Sequence, residues 1–263
     1  MRPDPPPAAL RELLLALADD DFVTGYTNSE WTGIAPMLEE DLAFSSLAQD
    51  ELGHARLLYE VLAEVEGTTA DALAYARPAS GFRHACLVER PRGDWAYSVS
   101  RQFLYDTADY VRLESLQASS YAPLASAAAS IIREERYHLL HANTWLERLA
   151  RGSVEARARQ RQAFIDLWPD ALGIFEPVQG EQALVAAGVL PEPANVLGER
   201  WLRRIAEPLL GLDIPFPFVD DNGVWQPEFE PQYGGRNGQH SPAFVALYGT
   251  MTSVYRLDPE ATW

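Results

Sequence analysis

Twice between Ala8 and Ala150 the chain places a long stretch of helical apolar spacing on each side of a short turn, and a chain patterned that way folds as pairs of helices. Ala8 to about Glu30 carries Leu10, Leu13, Leu14 and Leu17 with no breaker before Gly25. Gly33 to Pro36 makes a turn, and Met37 to about Val65 continues in Ala, Leu and Glu until Glu66-Gly67 stops it. The short connection makes these two helices antiparallel. The pattern then repeats. Trp95 to about Ser119, with Asp94 as N-cap, is followed by a turn at Ser120 to Pro123 and a fourth helix from Leu124 to about Ala150.

Between the pairs lie a short helix at Thr69 to Ala76 and an irregular segment to Arg92, in which Ala85 to Val88 reads as strand-like. After Gly152, helices are expected over Val154 to Leu172 and Pro193 to Leu210, with a short one near Gln182 to Ala187. Gly211 to Pro242 is Pro- and Gly-punctuated but holds Phe216, Phe218, Trp225, Phe229 and Tyr233, too aromatic for a free linker. That arm should wrap its own bundle or a partner, and a last helix should follow from Ala243 to about Tyr255. The expected organisation is one all-α domain over 1–263: a lead over 1–7, a four-helix core over 8–151, and bracing helices with an irregular aromatic arm over 152–263.

Charge and cysteine content narrow the function. The 21 basic residues, all arginine, stand against 38 acidic ones, so a net charge of −17 disfavours nucleic acid, keeps the chain soluble and lets a basic partner dock, which leaves assembly open. One cysteine, Cys86, excludes an internal disulfide and a thiolate metal cluster and fits a reducing cytoplasm. The proline-rich start lacks a signal-type apolar core, and no apolar run reaches the roughly 18 residues of a membrane span.

Residues three apart share a helix face, so Glu51 with His54, and Glu135 with His138, can each ligate one ion or two ions of one cluster. Alone this is weak, because 38 acids in 263 residues put one three positions before any histidine about one time in seven. Position along the helices adds information. Glu51 lies 15 residues after Pro36 and Asp21 lies 15 before it; Glu135 lies 14 after Tyr121 and Asp106 lies 15 before it. With equal rise on antiparallel helices, Asp21 should face Glu51 and Asp106 should face Glu135. Four helices thus supply six ligands: Asp21, Glu51, His54, Asp106, Glu135 and His138. Against them stand an ordinary acid-paired histidine for each of His54 and His138, a solvated acidic face for Asp19-Asp20-Asp21 with Asp20 as fallback ligand, and Asp109 as rival to Asp106. Asp50 and Glu134 sit about 100° off the ligand face, as partners to the ligands or as surface acids. His84, His141 and His240 read as structural.

One carboxylate from each of two helices with Glu-x-x-His from two others is the ferritin-like di-iron pattern. Carboxylates and imidazoles without thiolates suit iron, with manganese the other candidate. The sequence resembles the phenylacetic acid catabolic proteins, ferritin-like subunits of the ring-1,2-phenylacetyl-CoA epoxidase complex. The resemblance spans nearly the whole chain and rests on Trp31 to Pro36, Asp50-Glu51-Leu-Gly-His54-Ala-Arg56, Arg101-Gln-Phe followed by Asp106, Glu134 to His138, and Trp145 to Leu149. Moderate length and a C-terminal arm ending at Trp263 look most like the C-type subunits.

The resemblance implies a multicomponent oxygenase. In it the di-iron centre that epoxidises phenylacetyl-CoA sits in a catalytic A-type subunit, a reductase supplies electrons from NADPH, and the C-type subunit is a structural partner whose ligands are often replaced. This sequence keeps all six positions, with Asp21 where a glutamate is usual. The expected partners are the A-type subunit, or in its absence another copy of the chain, and phenylacetyl-CoA through the complex, with no membrane or nucleic acid. Without lysine, CoA phosphates would meet arginines or helix N-termini. The competing expectation is a chain that itself activates O2; iron storage is disfavoured.

Overall fold

The computed structural model describes residues 4–221 and 224–259, with side chains at 219–227 left aside; Met1–Pro3 of the lead, the Trp225 side chain and Trp263 lie outside what is described. Helices dominate: α1 (Pro7–Ser29), α2 (Leu38–Glu66), α3 (Trp95–Leu116), α4 (Ala122–Ala150), α5 (Val154–Leu172), α6 (Glu181–Ala187), α7 (Ala194–Gly211), α8 (Pro242–Met251) and α9 (Ser253–Leu257). The chain packs as two compact units, Met1–Pro91 with Val178–Ala187 and Gly234–Trp263, and Arg92–Pro177 with Gly188–Tyr233.

In the first unit α1 packs along α2. Leu10, Leu13, Leu14, Leu15, Leu17, Phe22 and Val23 are all buried, so α1 is buried on every side, as a central helix is. Gly25 sets the approach of the pair. A Cβ there would stand 2.9 Å from Leu52 Cγ and 3.1 Å from the Ala48 carbonyl oxygen, one turn of α1 beyond Asp21 and beside Glu51 on α2. Gly25→Val is expected to cost about 1–3 kcal/mol, because the crowding outweighs any helix-propensity gain from a β-branched residue. Thermal melts check this, and an unchanged midpoint would show that the helices can part freely.

In the second unit α3 packs on α4 and α5. Asp94 caps α3 by accepting the Tyr97 amide at 2.9 Å, and Ser153 caps α5 by accepting the Ala156 amide at 3.1 Å. The Trp201 indole on α7 donates to Thr107 Oγ1 on α3 at 2.9 Å, and Trp168 donates to the Pro215 carbonyl at 2.9 Å. Phe216 is buried against Trp168, so the start of the aromatic arm covers its own unit.

Three expectations need correction. Residues 86–89 form one 3-10 turn rather than a strand, with the Val88 amide bonded back to the Ala85 carbonyl. The arm contains a short antiparallel pair, β1 (Phe218–Asp221) with β2 (Val224–Pro227), where its Pro and Gly content predicts only loop. The last helix is broken at Thr252, whose hydroxyl donates to the Tyr248 carbonyl at 2.8 Å.

Candidate metal centre

Three consecutive aspartates on α1 decide how the first unit is wired. They are not a solvated face: Asp19, Asp20 and Asp21 are all buried. Successive helical residues diverge by about 100°, so the three point in different directions. Asp19 takes the Arg77 guanidinium, with Arg77 Nη1 at 3.0 Å, the Tyr59 hydroxyl, and the Arg83 backbone amide at 2.7 Å. Burial chiefly, with the Asp19 charge, pushes the Tyr59 phenol well above its ordinary range, so it stays a neutral donor. Asp20 receives both Arg236 Nη atoms at 2.8 Å in a fork and the Ala85 amide at 2.7 Å, which removes it as a fallback ligand.

Asp21 points elsewhere. It forms with Glu51 and His54 a group whose ligating atoms all lie within 4.8 Å of one another, in side chains 3%, 1% and 4% exposed. Two carboxylates and an imidazole this close in a low-dielectric interior favour a bound cation, and their hard oxygen and nitrogen donors suit one.

In the second unit Glu135 Oε1 and His138 Nδ1, one turn apart on α4, lie 3.0 Å from each other, both about 1% exposed. Asp106 on α3 is fully buried. Its rival Asp109 is held by Arg112, with Nη2 at 2.7 Å and Nε at 3.2 Å. Asp50 is half-buried, Glu134 is exposed and His141 is half-buried.

Sequence reasoning missed the counter-ions. Arg77 and Arg236 lie 58 and 216 residues from the aspartates they neutralise, and no local spacing signals such pairs. It also missed a buried cluster, His84, Glu89 and His240, although it read both histidines as structural.

Helix pairs that bury Glu-x-x-His on one member and an aspartate on the other define the class: an all-α chain whose carboxylate and imidazole groups can bind a metal ion. The chain belongs to the phenylacetic acid catabolic protein family, whose sequence model matches residues 2–263, and its fold is the ferritin-like one of that family. It is 30% identical over 250 residues to the C-type subunit of 1,2-phenylacetyl-CoA epoxidase from Escherichia coli (strain K12), over 95% of this chain and 97% of that protein. It is 27% identical over 160 residues to the A-type subunit of the same epoxidase, over 61% of this chain and 52% of that protein. No described helix is long and apolar enough to cross a membrane.

Proposed function

We propose that this chain is the C-type, accessory subunit of a multicomponent 1,2-phenylacetyl-CoA epoxidase in cytoplasmic aerobic phenylacetate catabolism, acting as one ferritin-like domain. The observation that carries the reading is the end-to-end match to the C-type relative, against a match to little more than half of the A-type one. The partner is an A-type subunit or, in its absence, a second copy of the chain; phenylacetyl-CoA is met through the complex. An exposed apolar strip supports a partner: Leu38 and Leu42, 72% and 64% exposed, lie one turn apart on α2 just after exposed Ile34 and Met37.

We further propose that Asp21, Glu51 and His54 of the first unit, and Asp106, Glu135 and His138 of the second, are ligands for iron. Their burial and hard donors support it, as does the pairing of each Glu-x-x-His turn with an aspartate within one residue of the same distance from the helix turn. When bound, a di-iron pair supplies redox chemistry toward dioxygen. The residues themselves hold the charge, exclude water and fix the donor positions. Asp21, one methylene shorter than the usual glutamate, draws its oxygens back toward α1 and weakens one metal position, in keeping with an accessory role.

Co-expression with an A-type subunit tests the assignment. His54→Ala with His138→Ala is expected to leave co-purification and ring epoxidation intact, whereas normal assembly with abolished turnover would establish that this chain activates oxygen. Leu38→Glu with Leu42→Glu is expected to weaken association by roughly tenfold or more, since two charges would be buried in an apolar contact, with helix content unchanged. Undiminished binding would move the interface off this strip.

A further inference from the structure

Helix α3 carries polar side chains into the interior of the second unit, and several of them are met there by the protein itself. Ser98 donates to the Arg92 carbonyl at 2.7 Å, Thr107 accepts the Trp201 indole at 2.9 Å, and Asp109 takes Arg112 at 2.7 Å. Gln102 is different. It is only 3% exposed, yet neither its Nε2 nor its Oε1 has a hydrogen-bond partner among the described residues. Gln160, the buried glutamine of α5, at least donates from Nε2 to the Leu146 carbonyl at 3.0 Å.

Taking a carboxamide out of water without a partner opposes folding, and a methionine would fill the same length of space without that cost. A glutamine at such a position implies a partner that the chain does not itself supply. Helix geometry says where that partner lies. Gln102 and Asp106 are four residues apart, so they stand one above the other on one face of α3, and the Asp106 side chain leans toward the turn that holds Gln102. Counted from the turn at Tyr121, His138 lies 17 residues on and Leu104 lies 17 back, which sets His138 level with the stretch between Gln102 and Asp106. Asp106, Glu135 and His138 are themselves buried, so the carboxamide borders a water-poor group of metal-binding donors.

The chemistry of the amide narrows the partner further. Both ends are unmet, so the partner must give a hydrogen as well as take one. An ionised carboxylate only accepts, and would leave Oε1 as it is. A direct bond from Oε1 to a metal ion would leave Nε2 as it is. Water does both, and a water on a divalent cation is a stronger donor than bulk water because the ion draws charge from its oxygen. Three side chains do not fill the coordination of an iron or manganese ion, so positions remain for water.

We propose that Gln102 is a positioning residue for the metal position of Asp106, Glu135 and His138: its carboxamide hydrogen-bonds a water that completes the coordination of the ion. This rests on the ligand reading given above and adds to it a residue that touches no metal. Gln102 fixes the direction of the water, and through it which side of the ion stays open. Binding of the ion in turn gives the buried amide its partner, so occupancy of the site and satisfaction of Gln102 are linked.

Cobalt(II) titration of the full chain, followed by visible absorption, tests this. Gln102→Met keeps the length of the side chain and removes both hydrogen-bonding ends. It is expected to weaken binding at one metal position about tenfold or more, and to change the visible bands of the cobalt-saturated chain because the water is no longer held. The metal-free variant is expected to unfold no more readily in denaturant than the wild type, since the amide that it loses has no partner in the fold. A glutamine that served only the fold would show the reverse: lower stability and unchanged bands. Wild-type affinity and wild-type bands in Gln102→Met would overturn this proposal alone and leave Gln102 with an ordinary buried water. A metal-free variant clearly less stable than the wild type would overturn it as well. A wild-type chain that binds no cobalt would overturn the ligand reading, and this proposal with it.

Discussion

Arg236→Met is expected to destabilise the full chain by about 3–5 kcal/mol, the cost of removing one member of a buried ion pair. Asp20 is fully buried, and Arg236, only 5% exposed, is its forked partner. Arg236 also donates to the Ala16 carbonyl at 3.1 Å and the Arg83 carbonyl at 2.8 Å, so the side chain ties α1, the segment after α2 and the C-terminal arm together. Without it the Asp20 carboxylate is left in the interior with the Ala85 amide still donating to it but no counter-charge in the fork. Asp20→Asn in the same chain is expected to recover a large part of the loss, because it removes the uncompensated charge. Denaturant unfolding of the wild type, the single variant and the double variant checks both statements. A loss under about 1 kcal/mol for Arg236→Met would mean that water reaches Asp20 and that the fork does not hold the arm.

His54→Ala with His138→Ala is expected to remove metal binding outright while sparing the fold. Protein made in iron-replete cells should carry about two irons per chain, in line with two Glu-x-x-His turns and two further carboxylates. The double variant should carry close to none and keep wild-type helix content, because each alanine replaces a side chain on a helix whose other buried faces are intact. Metal analysis alongside circular dichroism reads this directly. A wild-type chain that takes up neither iron nor manganese would sink the ligand assignment without touching family membership, which rests on the chain-long match. Wild-type metal content retained in the double variant would place the ions elsewhere.

Much of this protein is written locally. The long helices follow from apolar spacing and from turns at Gly33 to Pro36 and Ser120 to Pro123, and their ends fall within a few residues of the expected places. Fixed rise per residue is why counting back from Pro36 selected Asp21 as the residue level with Glu51, and those two side chains do converge with His54. The same reasoning failed where partners come from afar. Asp19 and Asp20 look like solvent-facing acids until Arg77 and Arg236 are brought to them, and residues 86–89 look like a strand until Glu89 is drawn inward between His84 and His240.

Spacing within a helix is a property of neighbouring residues, so it set the two Glu-x-x-His turns and the level of their aspartate partners before any folding question arose. Which of three consecutive aspartates meets Glu51 and His54, and which two are neutralised by arginine, depends on packing between segments as far apart as residues 20 and 236. Burial makes that choice decisive: a buried carboxylate without a counter-charge is costly, and for Asp19 and Asp20 only the folded chain brings the arginine that supplies it.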